Sequence, residues 1–210
     1  MKERRIEIKP VSKIQRKHID HGRMIYLTFD DGPDPEGTGS IINVLAQNQV
    51  KATFFLIGRN IAKYPEMLEK LIQDDHAIGN HGYSHKSLHL QSFQQVKKEI
   101  SKTDELLWEH AKIKTRLFRP PYLRLGLWVF NPFFRSEKQV IMASLNPKDF
   151  KSNDPHTLSD YILKKIKPGD IVVLHDRSDM VKNTIQALKT LIPELLNRGY
   201  KFGKLDQIEF

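Results

Sequence analysis

Apolar residues recur along this chain in two rhythms, short unbroken runs and longer stretches with one apolar face. Met24-Ile25-Tyr26-Leu27-Thr28-Phe29 is rich in β-branched and aromatic residues and is closed by Gly32-Pro33 and Pro35, so it predicts a strand. A helix should follow through about Gln49, with Thr38 or Ser40 as its cap and Ile41, Ile42, Leu45 and Ala46 on one face. Residues 50–57 predict a second strand ending at Gly58, residues 61–75 a helix with Met67, Leu68, Leu71 and Ile72 inward, and residues 77–81 a third, short strand. Residues 92–112 form the longest helical stretch, with Val96, Ile100, Leu106 and Leu107 turned in. Leu117-Phe118-Arg119, stopped by Pro120-Pro121, reads as a strand, as do residues 139–145 and the fully apolar Ile171-Val172-Val173-Leu174. Helices are expected over 157–166 and 182–197, the latter ending at Gly199 before a last strand over 201–205. The aromatic-rich residues 125–134 fit neither rhythm.

Short apolar strands alternating with amphipathic helices imply a parallel sheet covered by helices, an α/β domain. No linker, repeat or composition break divides it, so residues 23–210 read as a single domain behind an arm of residues 1–22. In parallel α/β barrels the chemistry gathers at the C-terminal strand ends. The unusual polar residues fall there: Asp30 and Asp31, then His81 and His85, Arg119, Asp149 and His175.

Composition narrows the classes. The chain holds 34 Lys and Arg against 25 acids, a formal net charge of +9, and +4 of it lies in the first twenty residues. That balance suits an anionic wall, a membrane surface or nucleic acid without choosing among them. The basic arm, with a short extended piece around residues 6–8, is expected to be partly mobile. There is no cysteine, which removes disulfides, thiolate metal sites and cysteine nucleophiles together. No run approaches the roughly twenty apolar residues of a membrane span, and the N-terminus shows no recognisable signal peptide, so the chain as written reads as cytoplasmic.

Each polar group carries a functional reading beside a plainer one. Adjacent residues on an extended chain point to opposite sides, so Asp30 and Asp31 can do different work, one binding a metal and the other moving a proton; an Asp-Gly turn with solvated acids is the alternative. His81-Gly82-Tyr83-Ser84-His85 spaces two imidazoles on a loop leaving a strand, where they can meet on one ion or stay solvated. With a first-strand aspartate the set becomes two histidines and one carboxylate, which leaves coordination positions open for catalysis. Arg119 before a rigid double proline either pairs with a surface acid or holds a catalytic carboxylate ionised. His175 closes a buried strand, as a satisfied core residue or as a proton donor oriented by a carboxylate such as Asp149.

Thr28-Phe29-Asp30-Asp31-Gly32-Pro33, His81-Gly82-Tyr83-Ser84-His85, Arg119-Pro120-Pro121-Tyr122, Asp149-Phe150 and Val173-Leu174-His175 resemble, in the same order, the five signature segments of the polysaccharide deacetylases. The resemblance spans residues 24–205. It implies a distorted barrel of about seven parallel strands and metal-dependent removal of N-acetyl groups from an N-acetylglucosamine-containing polysaccharide, peptidoglycan or chitin-like, with no specific nucleic acid as partner. It implies Asp30 as general base tethered by Arg119, and His175 as general acid oriented by Asp149. Asp31, His81 and His85 would hold a divalent ion, usually zinc in this family though cobalt and others serve. Pro121, Tyr122, Phe150 and Val173 would shape the acetyl pocket, with the Tyr122 N–H helping to stabilise the oxyanion. Family members often work outside the membrane, and a peripheral contact with an anionic wall or membrane surface would suit the basic balance. Two other readings keep the fold: an allantoinase-like hydrolase of a small cyclic amide, and a non-catalytic glycan-binding protein.

Departures from the family pattern fall at Phe150 and Val173, where tryptophan and leucine are usual, and at Leu123-Arg124, where a glycine is often found. Residues 125–135, with Trp128, Phe130, Phe133 and Phe134, are expected either to pack or form a dimer contact, or to make a sugar-stacking rim. His89 reads as no ligand, and Asp34, Asp74, Asp75, Asp176 and Asp179 as surface or supporting acids.

Overall fold

The computed structural model describes residues 14–15 and 22–208. Most of the basic arm, including the extended piece expected at residues 6–8, lies outside them. In chain order the regular elements are β1 (Ile14–Gln15), β2 (Met24–Asp30), α1 (Gly37–Gln47), β3 (Thr53–Leu56), α2 (Gly58–Lys63), α3 (Pro65–Gln73), β4 (Ala77–Asn80), α4 (Phe93–Ala111), β5 (Leu117–Phe118), α5 (Pro132–Glu137), β6 (Gln139–Ile141), α6 (Pro155–Lys165), β7 (Ile171–His175), α7 (Val181–Asn197) and β8 (Lys201–Phe202). The strands run in the order β1-β6-β5-β4-β3-β2-β7, and β8 joins β2. Every pairing is parallel. Beyond β6 the chain reaches the free edge of β7, where Val173 N donates to Leu145 O at 3.0 Å. That contact curls the sheet into the expected distorted barrel.

Several boundaries moved for identifiable reasons. The helix expected over 61–75 is two, because Pro65 cannot continue α2 and instead opens α3. Neither Thr38 nor Ser40 caps α1; the carboxylate of Asp34 accepts from Gly37 N at 2.8 Å and Glu36 N at 3.1 Å. Residues 14–15 of the basic arm pair with β6, so part of that segment belongs to the sheet. Helix α4 starts where the pattern placed it, on a reciprocal capping box between Ser92 and Gln95.

Strand alternation decides what faces the barrel interior. On β2, Ile25, Leu27 and Phe29 pack outward into the main core under the helices, as do Phe54, Ile78, Val172 and Leu174 on neighbouring strands. The opposite set, Tyr26, Phe55, Leu117, Ile141 and Ile171 with Leu205, fills the barrel floor. Counting up by twos from that floor gives Thr28 and Asp30 on β2, Val173 and His175 on β7, and Arg119 after β5. On β4 the interior residue is Gly79, where a side chain would run into the Phe55 ring. The next interior position is His81.

The aromatic residues 125–134 divide in two. Trp128 and Phe134 are buried with Phe118, Val96, Ile100 and Val140 in a separate cluster, and the Trp128 indole donates to Leu88 O at 2.8 Å. Leu127 and Phe130 remain exposed. Packing is therefore the work of Trp128. We expect Trp128→Ala to lower unfolding free energy in denaturant titrations by about 3–5 kcal/mol. A loss under about 1 kcal/mol would show that the indole is not a core group.

Candidate active site

Asp30 ends β2 inside the barrel, only 3% exposed. Its Oδ1 accepts from Arg119 Nη1 at 2.7 Å, and the same nitrogen donates to Thr28 Oγ1 at 2.7 Å. Arg119 is fully buried; its Nε donates to Ile141 O at 3.2 Å and its guanidinium lies 4.1 Å over the Phe55 ring. A charge so far from water needs its partner, and each ion here neutralises the other.

Asp31 does not continue the pleat. Its φ of 83° lies in the left-handed region, which breaks the alternation and turns its carboxylate into the cleft that Asp30 faces. The expectation that the two acids point to opposite sides fails for this reason. Asp31 Oδ1 stands 3.0 Å from His85 Nε2 and 3.5 Å from His81 Nε2. His81 Nδ1 is 2.7 Å from Arg119 O, a carbonyl that can only accept, so Nδ1 carries a proton and Nε2 is the atom offered to the cleft.

These three side chains fit a cation. Their ligand atoms lie within 4.8 Å of one another, and Asp31 Oδ1 is a buried carboxylate oxygen with no hydrogen-bond partner. Tetrahedral zinc bonds of about 2.0–2.1 Å put neighbouring ligand atoms about 3.4 Å apart, close to the spacings seen. Burial would raise the Asp31 carboxyl, but the adjoining His81 and His85 outweigh it and hold it well below the usual carboxylate range. It is therefore an anion at any working pH.

Across the cleft, Asp149 opens a short turn of 3₁₀ helix and is itself buried. Its Oδ1 meets His175 Nδ1 at 2.8 Å, while Oδ2 accepts from His175 N at 2.8 Å and Thr184 Oγ1 at 2.9 Å. Burial would lower the imidazole, but Asp149, then Asp30 and Asp31, raise it to about 9. His175 is thus an imidazolium at neutral pH, with Nδ1 committed to Asp149 and Nε2 left for the cleft.

The cleft has a volume of about 310 Å³ and is lined by both acids, the three histidines, Tyr122, Phe150 and Val173. Pro121 is buried and does not line it. Leu123, Arg124, Asn146, Arg177 and Met180 do, and sequence reasoning gave none of them a place there. Tyr122 and Leu123 have φ of 62° and 54°, so the chain bends here through two left-handed residues, the second at the Leu123-Arg124 step where a glycine is often found, at a cost of about 1–3 kcal/mol each. Asp176, expected as a surface or supporting acid, is a supporting one, fully buried behind the Asp31-Gly32 turn with Oδ2 2.5 Å from Thr38 Oγ1. Its burial pushes the carboxyl up to about 8. A Cβ at Gly32 would strike that carboxylate, so the glycine is needed for close approach. His89 bonds Ser87 Oγ at 3.0 Å. A larger hollow of about 600 Å³, between α4 and residues 113–116, shares no residue with this site.

Fold and cleft together define a parallel α/β barrel with a candidate cation site, Asp31, His81 and His85, at the C-terminal ends of its strands. The sequence profile of the family described as polysaccharide deacetylase matches residues 17–128. A peptidoglycan-N-acetylglucosamine deacetylase of Bacillus cereus is 34% identical over 185 residues, covering 86% of this chain and 66% of that relative. A chitooligosaccharide deacetylase of Rhizobium leguminosarum bv. trifolii is 32% identical over 200 residues, covering 88% of this chain and 91% of its own length. This chain belongs to the polysaccharide deacetylase family. Among solved structures, a peptidoglycan N-acetylglucosamine deacetylase in complex with 4-naphthalen-1-yl-N-oxidanyl-benzamide superposes with a TM-score of 0.88 at 30% identity, covering 92% of this chain and 91% of that one. A protein of Bacillus anthracis described as a CE4 family pseudoenzyme superposes with a TM-score of 0.84 at 27% identity, covering 92% of this chain and 68% of that one.

Proposed function

We propose that this protein hydrolyses N-acetyl groups of an N-acetylglucosamine-containing polysaccharide, peptidoglycan or a chitin-like chain, with zinc as its metal. Membership of the family alone does not carry activity, since one relative is described as a pseudoenzyme. The reading rests on one observation: a three-ligand cluster flanked by an arginine-held carboxylate on one side and an aspartate-held imidazolium on the other, around a single cleft.

An amide is resonance-stabilised, so its hydrolysis needs an activated water, a stabilised oxyanion and a protonated leaving amine. A divalent ion held by Asp31, His81 and His85 would polarise the acetyl carbonyl and lower the pKa of the attacking water. Asp30, held in place by Arg119, takes the water's proton; its Oδ2 lies 3.9 Å from His81 Nε2 and so borders the ligand cluster. His175 passes its Nε2 proton to the nitrogen as the carbon–nitrogen bond breaks, and Asp149 stabilises the imidazolium until then. The Tyr122 N–H donates to the developing oxyanion. Tyr122, Phe150 and Val173 wall the acetyl group from solvent.

Zinc-loaded protein incubated with N-acetylglucosamine oligomers and with peptidoglycan is expected to release acetate and leave free amines on the glycan. Release from a small cyclic amide but from no glycan would move the assignment to the allantoinase-like class.

A further inference from the structure

Helix α4 does more than cover the sheet. Glu99 lies on it between Val96 and Thr103, half-buried, with its carboxylate turned to the loop joining His81 to His85. Its Oε2 accepts from Tyr83 N at 3.1 Å and Ser84 N at 2.8 Å, and Ser84 Oγ lies 2.9 and 3.0 Å from the two carboxylate oxygens. On the same helix, Ile100 O and Asp104 Oδ1 accept the Asn80 amide at 2.9 and 2.8 Å, and Asn80 Oδ1 accepts from Gly82 N at 2.8 Å. The amides of residues 82, 83 and 84 are therefore all held by side chains that α4 contributes or anchors.

This loop needs an outside template. Gly82 and His85 have φ of 79° and 58°, and the segment continues neither strand nor helix, so no ladder takes up its N–H groups. Gly58 N and Arg59 N take the carbonyls of Gly82 and Tyr83 at 2.9 and 3.1 Å, but the N–H side, left unanchored, would have to be ordered by the ion itself, and that ordering cost would be subtracted from binding.

We propose that Glu99 is a positioning residue that pre-forms the two-histidine half of the metal site. Its hydrogen bonds go to Tyr83 and Ser84, so it acts through the segment between the two histidines. The proposal rests on the ligand assignment made above.

The test is calorimetric titration of zinc into metal-free wild type, Glu99→Ala, Glu99→Asp and Glu99→Gln, each checked for native circular dichroism. Glu99→Ala is expected to weaken zinc binding about 10- to 100-fold. Glu99→Asp, one methylene short of the two amides, is expected to lose about tenfold. Glu99→Gln keeps a carbonyl oxygen for those amides and should bind within about threefold of wild type, a rescue that a general folding defect would not show. Wild-type affinity in the Ala and Asp variants overturns the proposal, and the Asp variant decides alone if the Ala variant fails to fold. Tight zinc binding by wild type without acetate release would defeat the proposed reaction while leaving this inference standing.

Discussion

Asp30→Asn is expected to lower kcat for acetate release by about 10²- to 10⁴-fold, the range a positioned general base supplies. Asparagine has the shape of aspartate and still accepts a hydrogen bond from Arg119 Nη1, now 2.7 Å from Oδ1, but it cannot take a proton from water. The three ligand side chains are untouched, so zinc should remain at one equivalent, and substrate binding should change far less than kcat. Steady-state kinetics with metal analysis on the same sample makes the comparison. A variant that keeps more than a tenth of wild-type kcat would remove Asp30 from the role of base.

Replacing Arg119 attacks the same pair from the other side. Arg119→Met keeps apolar volume but leaves Asp30 buried at 3% exposure with no counter-charge, and it removes the donors now used by Thr28 Oγ1 and Ile141 O. Breaking a buried pair in this way is expected to cost about 3–5 kcal/mol of unfolding free energy in urea. Asp30 would also lose the 2.7 Å bond that fixes its carboxylate in the cleft, so activity should fall with stability. Combining Arg119→Met with Asp30→Asn removes both charges and should regain part of the lost stability, since the residual cost of the single change is an orphaned carboxylate. A single variant as stable as wild type would mean that Asp30 does not depend on Arg119.

Most of the barrel and much of its cleft could be read from strand parity. Ile25, Leu27 and Phe29 against Tyr26, Thr28 and Asp30 is an ordinary alternation, and the same count of two carries Ile171 and Val173 to His175 and Leu117 to Arg119. A polar residue arriving on the interior parity at the end of an apolar strand has little else to face but the barrel mouth. What parity misses is whatever leaves the strand geometry. The positive φ of Asp31 falls in a turn packed against Asp176, more than a hundred residues away in sequence, and no period along the chain signals it, so the joint facing of the two acids was not legible. Asn146, Arg177 and Met180 reach the cleft from loops whose paths follow no period. Glu99 left a faint sign. It stands three residues after Val96 and four before Thr103 on a stripe otherwise turned inward, where a charge asks for a partner. The aromatic residues 125–134 resisted because buried Trp128 and exposed Leu127 and Phe130 share one short 3₁₀ turn, too brief for any periodic signal.

The metal dependence of acetate release tests the central claim most directly. Wild-type protein stripped with a chelator and dialysed should release no acetate from N-acetylglucosamine oligomers, and stepwise zinc should restore the rate until one equivalent is bound. A rate that survives complete removal of metal, or protein carrying one zinc that releases no acetate from any glycan, would contradict it.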